Sequence, residues 1–129
     1  MQFATAVRNA RLDQIETTIG TAPKLRIFSG SAPGVANAAT GTLLSTITLP
    51  TDWLASATGG TKSLAGTWQD SSAAASGTPG YFRILDSTGT TSYLEGSAGV
   101  GSGELNFSTT ISLGGVVSVT SFVITDGNP

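Results

Sequence analysis

The side chains that could do chemistry in this chain are its carboxylates and two lysines, because it contains neither histidine nor cysteine. Glycoside hydrolysis needs two carboxylates about 5–10 Å apart across a groove, whereas these acids are scattered singly. Asp52 and Asp70 stand near Trp53 and Trp68, so a carboxylate-and-aromatic sugar site is one interpretation. The favoured one is that Asp52 caps a turn, Asp70 ends a strand and both tryptophans anchor the core. The carboxylates are Asp13, Glu16, Asp52, Asp70, Asp86, Glu95, Glu104 and Asp126.

Other catalytic motifs are disfavoured. Serine hydrolysis and most proton transfer use histidine, and the two lysines, Lys24 and Lys62, stand in no Ser–Lys motif. The GVGSG run at 99–103 lacks the GK[ST] ending of a phosphate loop and precedes a strand-like run. The acids lack the spacing of a calcium loop. We therefore predict no catalytic residue, no metal and no cofactor, and we expect a protein that is not an enzyme.

The composition limits the partners. Only 11% of the 129 residues are charged, against about 25% in a typical soluble domain, and the net charge is −2. Nucleic-acid binding needs a clustered basic patch, and a membrane span needs about 20 apolar residues in a row, so neither partner is expected. The N-terminus lacks the apolar core of a signal peptide, which predicts synthesis in the cytoplasm. A surface of small polar residues suits contact with other proteins.

The first 22 residues are predicted to form an N-terminal helical arm. Residues 4–19 contain no glycine or proline, Gly20 is a natural helix end, and Pro23 prevents continuation. The apolar positions form two groups on a helical wheel, which fits either one wide core-facing stripe or contacts on two sides. The first group is Phe3, Val7 and Ala10, and the second is Leu12, Ile15 and Ile19.

The charges of this helix do not stabilise it in isolation. No opposite charges stand three or four positions apart, where a pair contributes about 0.2–0.5 kcal/mol, and the basic residues precede the acidic ones, against the helix dipole. Solvated charges are the simpler interpretation. We instead predict that the helix docks on a neighbouring subunit, with Arg8 and Arg11 meeting acidic groups there. The predicted protein interface consists of Phe3, Val7, Arg8, Arg11, Asp13 and Glu16.

Residues 24–129 are predicted to form one mainly β domain, a β-sandwich or jelly roll of seven or eight strands, because short β-like runs alternate with turn clusters. The clearest hairpin is YFRILDSTGTTSYLEGS at 81–97. The run 116–124 is predicted to be one long strand, 51–53 a single helical turn, and 55–63 and 97–103 loops. The other predicted strands lie in KLRIFSG, GTLLSTITLP, LAGTWQD and ELNFSTTIS.

Four stretches carry a resemblance to known proteins: RNARLDQIETTIGTAPKLRIFSGSAP, GTLLSTITLPTDW, AGTWQDSSAAASGTPGYFRI and SVTSFVITDGNP. Together they resemble a group of small tailed-bacteriophage proteins encoded among head and structural genes. The resemblance covers most of the chain and implies a virion component, similar in size and β-richness to capsid cement or decoration proteins. Such proteins clamp neighbouring major capsid subunits, and some are jelly rolls that associate as dimers or trimers. The resemblance supplies no catalytic residue.

The expected function is therefore a non-enzymatic phage capsid cement or decoration protein on the capsid surface of the virion. Its expected partners are the major capsid protein and copies of itself, as a dimer or trimer. The alternative is a tail, neck or fibre-associated binding module that contacts host glycans, with Trp53, Trp68, Tyr81 and Tyr93 as stacking residues. Exposure of the two tryptophans tests the glycan-binding alternative, because a buried tryptophan cannot stack on a sugar.

Overall fold

The computed structural model describes residues 1–127, so the last two residues of the predicted 24–129 domain lie outside the described part. The fold is mainly β with one N-terminal helix, as predicted, and residues 1–127 contain nine strands instead of the predicted seven or eight. The helix, α1, is Thr5–Ile19. The strands are β1 Lys24–Phe28, β2 Leu43–Thr48, β3 Thr61–Ser63, β4 Trp68–Asp70, β5 Tyr81–Leu85, β6 Ser92–Val100, β7 Leu105–Phe107, β8 Val117–Val119 and β9 Val123–Thr125.

The main sheet has five strands in the order β2-β1-β5-β6-β7. Its pairs are antiparallel except for β6 with β7, which is parallel. Register shifts at Ile27/Phe28 and Ile84/Leu85 interrupt two ladders, and such irregularities bend a sheet. The remaining strands form two separate ladders, β3 with β9 and β4 with β8. The second layer of the predicted sandwich is thus not a single continuous sheet within residues 1–127.

The predicted hairpin at 81–97 is confirmed as β5 and β6. Asp86 organises the turn, because its Oδ1 accepts hydrogen bonds from the Thr90 amide at 2.9 Å and the Thr88 hydroxyl at 2.9 Å. Gly89 takes a φ of +72°, which a residue with a side chain adopts only with strain. Local turn chemistry therefore specifies this hairpin.

The predicted long strand at 116–124 is wrong. The run forms two short strands, because Val117–Val119 pairs with β4 whereas Val123–Thr125 pairs with β3. The break between them brings Phe122 into the core, where its ring meets Phe82 edge-on at 5.8 Å. Alternation along the sequence continues through this break, so the pattern alone does not reveal it.

Three smaller predictions also differ from the structure. Residues 51 and 52 form a bend, and no helical turn forms at 51–53. The predicted loop 55–63 contains β3, whose formation depends on pairing with the distant β9. The predicted glycine loop 97–103 begins with four more residues of β6, which continues to Val100 because β7 pairs alongside it.

The core lies between the main sheet, the two ladders and α1. Trp53 and Trp68 are 0% and 1% exposed, with ring centroids 6.1 Å apart, and Phe122 packs on Trp68 at 5.3 Å. Ile19 of α1 and Phe82 of the main sheet belong to the same cluster of buried side chains. One continuous core therefore joins the helix to all three groups of strands.

Candidate functional site

The two apolar groups of α1 have different environments. Leu12 and Ile19 are buried, and Ile15 packs against the core. Phe3 and Val7 are 39% and 44% exposed. The helix therefore buries one group against its own β strands and leaves the apolar members of the predicted interface at the surface.

The basic residues of the helix bind the C-terminal part of the same chain. Arg8 Nε donates to the backbone carbonyl oxygen of Asp126 at 2.8 Å, and Arg11 Nε lies 3.1 Å from Asp126 Oδ2. The Gly60 amide adds a bond to Asn9 Oδ1 at 2.9 Å. Arg11 thus meets a carboxylate of its own chain and Arg8 meets the backbone of the same residue, although the sequence interpretation placed acidic groups for both arginines on a neighbouring subunit.

The acidic residues of the helix bind Lys62, which sequence reasoning did not select. Lys62 Nζ lies 2.6 Å from Asp13 Oδ1 and 3.0 Å from Glu16 Oε2, and it donates to the Ala55 carbonyl at 2.9 Å. The Ala57 amide also donates to Asp13 Oδ1, at 2.9 Å. Asp13, Glu16 and Lys62 are called the Lys62 ion cluster below. Because the Lys62 side chain is 2% exposed, its charge needs these partners.

The charge order along α1 follows from these contacts. The basic half of the helix lies against Asp126, and the acidic half lies against Lys62. The charges are therefore placed for tertiary contacts and not for pairing within the helix. Of the six predicted interface residues, the four charged ones already have partners within the chain, so Phe3 and Val7 are the members whose apolar surface faces solvent.

Acid is expected to weaken the docking of α1. Hydrogen bonds from Lys62 and the Ala57 amide lower the pKa of Asp13 below its usual 3.8. Stability from such a carboxylate is present above the unfolded-state pKa and is lost as pH falls through the lower folded-state pKa. The Tm, measured by thermal unfolding followed by circular dichroism, should decrease as the pH is lowered below about 4.

Alkali acts on the other partner of the Lys62 ion cluster. Burial acts to lower the pKa of Lys62, but the bonds with Asp13 and Glu16 outweigh it and raise that pKa above 10.5. This stabilisation is present below the unfolded-state pKa and is lost as pH rises through the folded-state pKa.

The variant Lys62→Met tests the cluster at low pH. Its acid-dependent fall in Tm should be smaller than that of the wild type. An equal fall in both proteins would contradict the role of the cluster, because the variant lacks the cation that lowers the pKa of Asp13.

A second buried polar network holds the loop at 29–41 on the main sheet. Arg83, on β5, is 5% exposed. Its Nε lies 2.9 Å from Glu95 Oε2, and its guanidinium donates to the carbonyls of Gly34 at 3.0 Å and Asn37 at 2.8 Å. Glu95 Oε1 accepts from the Gly34 amide at 2.9 Å. The network fixes this uncharged loop against the main sheet.

The predicted stacking residues are mostly buried. Trp53, Trp68 and Tyr81 are at most 1% exposed, whereas Tyr93 is 43% exposed. The Tyr81 hydroxyl donates to the Thr40 carbonyl at 2.5 Å. Both tryptophans are therefore unavailable as a platform for sugar stacking, which leaves Tyr93 alone of the four at the surface.

The carboxylates mostly make structural bonds. Asp70 Oδ2 accepts from the Ser45 hydroxyl at 2.7 Å, and Glu104 Oε2 accepts from the Ser97 amide at 2.7 Å. Asp52 is exposed on a bend. Within residues 1–127, no three side chains of the metal-ligating acidic, histidine or cysteine types converge on one point. In the same range, no helix is long and apolar enough to cross a membrane.

Comparison with known proteins adds no relative: no family model, curated protein or solved structure matches this chain.

Proposed function

We propose that this chain is a non-enzymatic structural protein of a tailed-bacteriophage virion, a cement or decoration protein that bridges major capsid subunits on the capsid surface. In this proposal the main sheet and the two ladders are the layers of a jelly-roll-like β-sandwich. The resemblance of four stretches to small phage structural proteins suggests this class. The physical properties of the surface support it independently.

The observation that carries the proposal is apolar surface on a nearly uncharged protein. Large apolar side chains are exposed both around α1 and from the β7–β8 connection to the start of β9, while only 11% of the chain is charged. Burial of apolar surface contributes about 25 cal/mol per Å², and a shell repeats each contact many times, so modest individual contacts suffice. The side chains are Met1, Phe3, Val7, Leu113, Val116 and Val123.

The arrangement of α1 also suits a contact with a neighbouring subunit. Its charged residues are bound to Asp126 and Lys62 of the same chain, so the helix is held on the β domain while Phe3 and Val7 face outward. A contact made through a rigid element loses less conformational entropy on binding than one made through a mobile arm. Major capsid subunits are the proposed partners of this face.

Copy number in purified virions tests the proposal. Quantitative mass spectrometry against the major capsid protein should give a ratio of the order of one copy per capsid subunit or per small cluster of subunits, and a cryo-electron microscopy map should place the chain on the shell. A few copies at the tail would instead favour the tail, neck or fibre module. Absence from virions would contradict both assignments.

A further inference from the structure

Lys24 and Arg26 differ from the other basic residues of the chain in lacking an acidic partner. Within residues 1–127, the Arg26 side chain makes no hydrogen bond or ion pair, and Lys24 Nζ donates only to the Thr48 hydroxyl, at 2.7 Å. The other four each bind a carboxylate or a backbone carbonyl oxygen of their own chain, and they are Arg8, Arg11, Lys62 and Arg83.

The two side chains lie on the same face of the main sheet. Residues two positions apart along a strand point to the same side. In β1, Leu25 and Ile27 are buried, whereas Lys24 and Arg26 on the opposite face are partly exposed. Two such positions are separated by about 7 Å along a strand, and both side chains are long. Both positive charges are therefore within reach of one small anion.

The charge of Arg26 is poorly compensated within the chain. Its Nε atom is buried without a hydrogen-bond partner, and a buried donor without a partner costs about 1–3 kcal/mol. Arg26 also lies directly opposite Arg83 in the β1–β5 ladder, and like charges in opposite positions destabilise a sheet. Glu95 lies 2.9 Å from Arg83 Nε, so this carboxylate compensates Arg83 and not Arg26.

The β5–β6 turn lies beside Arg26 but does not neutralise it. Gly89 is so close that a Cβ atom placed on it would lie 2.6 Å from Arg26 Nη2. The acid of this turn, Asp86, accepts hydrogen bonds from the Thr90 amide and the Thr88 hydroxyl. It makes no ion pair with any part of the chain that the structure describes. The turn therefore forms one wall of a positively charged site.

We propose that Lys24 and Arg26 bind an oxyanion, a phosphate or a carboxylate group. A guanidinium presents paired N–H donors that match two oxygens of either group. Because Nε is covered in this structure, the guanidinium turns outward on binding, and the Nε donor gains a partner. The Lys24 ammonium supplies the second charge. Two cations are fewer than a nucleic-acid patch needs, so the ligand is a single anionic group. The site does not depend on the proposed function.

Titration of isotope-labelled protein, followed by heteronuclear NMR, tests the site. Inorganic phosphate and acetate are the two probes, and sodium chloride at matched ionic strength is the control. The Nε–H resonance of Arg26, assigned from its loss in Arg26→Met, should shift along a saturable curve with an oxyanion and not with chloride. Saturation by phosphate alone identifies a phosphate ligand, saturation by acetate alone identifies a carboxylate, and saturation by both identifies a site for either group.

Substitutions test whether these side chains form the site. Arg26→Met should weaken binding at least about tenfold, measured from the backbone amide shifts of β1 and Gly89, because it removes charge-assisted hydrogen bonds. Arg26→Lys keeps the charge but not the paired donors, and it should weaken binding less. Arg11→Met is the charge-matched control, since it removes a cation that is 53% exposed on α1, and the affinity should stay within about twofold.

Two results would overturn the proposed site. Shifts that grow linearly and equally with phosphate, acetate and chloride would reflect ionic strength alone, and the Nε donor would then have only water to bind. Equal weakening in Arg26→Met and Arg11→Met would show that net charge and not this pair attracts the anion. The wild-type titration needs no substitution, so the first result is decisive even if a variant folds poorly.

Discussion

Replacing Trp53 with alanine is expected to lower the free energy of unfolding by about 3–5 kcal/mol, the usual cost of deleting a large aromatic side chain from a core. Trp53 is 0% exposed, lies against Trp68, and donates from Nε1 to the Gly20 carbonyl at 3.0 Å. The substitution therefore removes both core volume and the bond that holds the C-terminal end of α1. Urea unfolding followed by far-ultraviolet circular dichroism measures the loss.

Two control variants separate these contributions. Trp53→Phe keeps most of the apolar volume but leaves the Gly20 carbonyl without its indole partner, so a smaller loss of about 1–3 kcal/mol is expected. Tyr93→Ala removes an aromatic ring that is 43% exposed, and its cost should stay below about 1 kcal/mol. If Trp53→Ala lowered the free energy of unfolding no more than Tyr93→Ala, this result would contradict the burial of Trp53.

Local signals were enough to predict the mainly β fold and its first helix. The helix end at Gly20 and the turn at Asp86 to Gly89 each depend on residues a few positions apart, and such signals are visible in the sequence. The alternation in Lys24–Phe28 likewise predicts a strand, in which Leu25 and Ile27 are buried whereas Lys24 and Arg26 on the opposite face are partly exposed.

Elements that depend on distant partners were predicted poorly. The strand β3 contains only Thr61, Lys62 and Ser63, a polar triplet without a β pattern, and it forms because β9 pairs with it. The division of 116–124 into β8 and β9 is also a tertiary effect, because each half pairs with a different strand. Tertiary pairing overrides local propensity in such short strands.

The contacts that the α1 charges make within the chain were not predicted, because they too depend on distant partners. The helix carried a usable signal, since Arg8, Arg11, Asp13 and Glu16 have no partners at helical spacing and must find them elsewhere. The sequence does not indicate where those partners lie. Lys62 is 49 positions from Asp13, and only the approach of β3 to α1 makes this partner evident.

Replacing Arg83 with methionine is expected to cost about 3–5 kcal/mol, because it leaves a buried carboxylate without its cation. The side chains of Arg83 and Glu95 are 6% and 9% exposed, and their ion pair is 2.9 Å long. The carbonyls of Gly34 and Asn37 also lose their guanidinium donors. Chemical denaturation should show a reduced unfolding free energy, and hydrogen exchange should show faster exchange of the amides in the loop at 29–41.

The double variant Arg83→Met/Glu95→Leu distinguishes an unpaired charge from lost packing. Removing both charges takes away the buried carboxylate, and apolar replacements of buried ion pairs are often neutral or stabilising, so this protein should regain part of the unfolding free energy. The loop should nevertheless exchange faster than in the wild type, because the Gly34 amide and the two loop carbonyls lack their side-chain partners. Recovery of the unfolding free energy without recovery of slow amide exchange in the loop would show that the network holds the loop in place. Slow loop exchange in both variants would contradict that role and would place the anchoring of the loop in the Tyr81 hydroxyl and its bonds with Thr40.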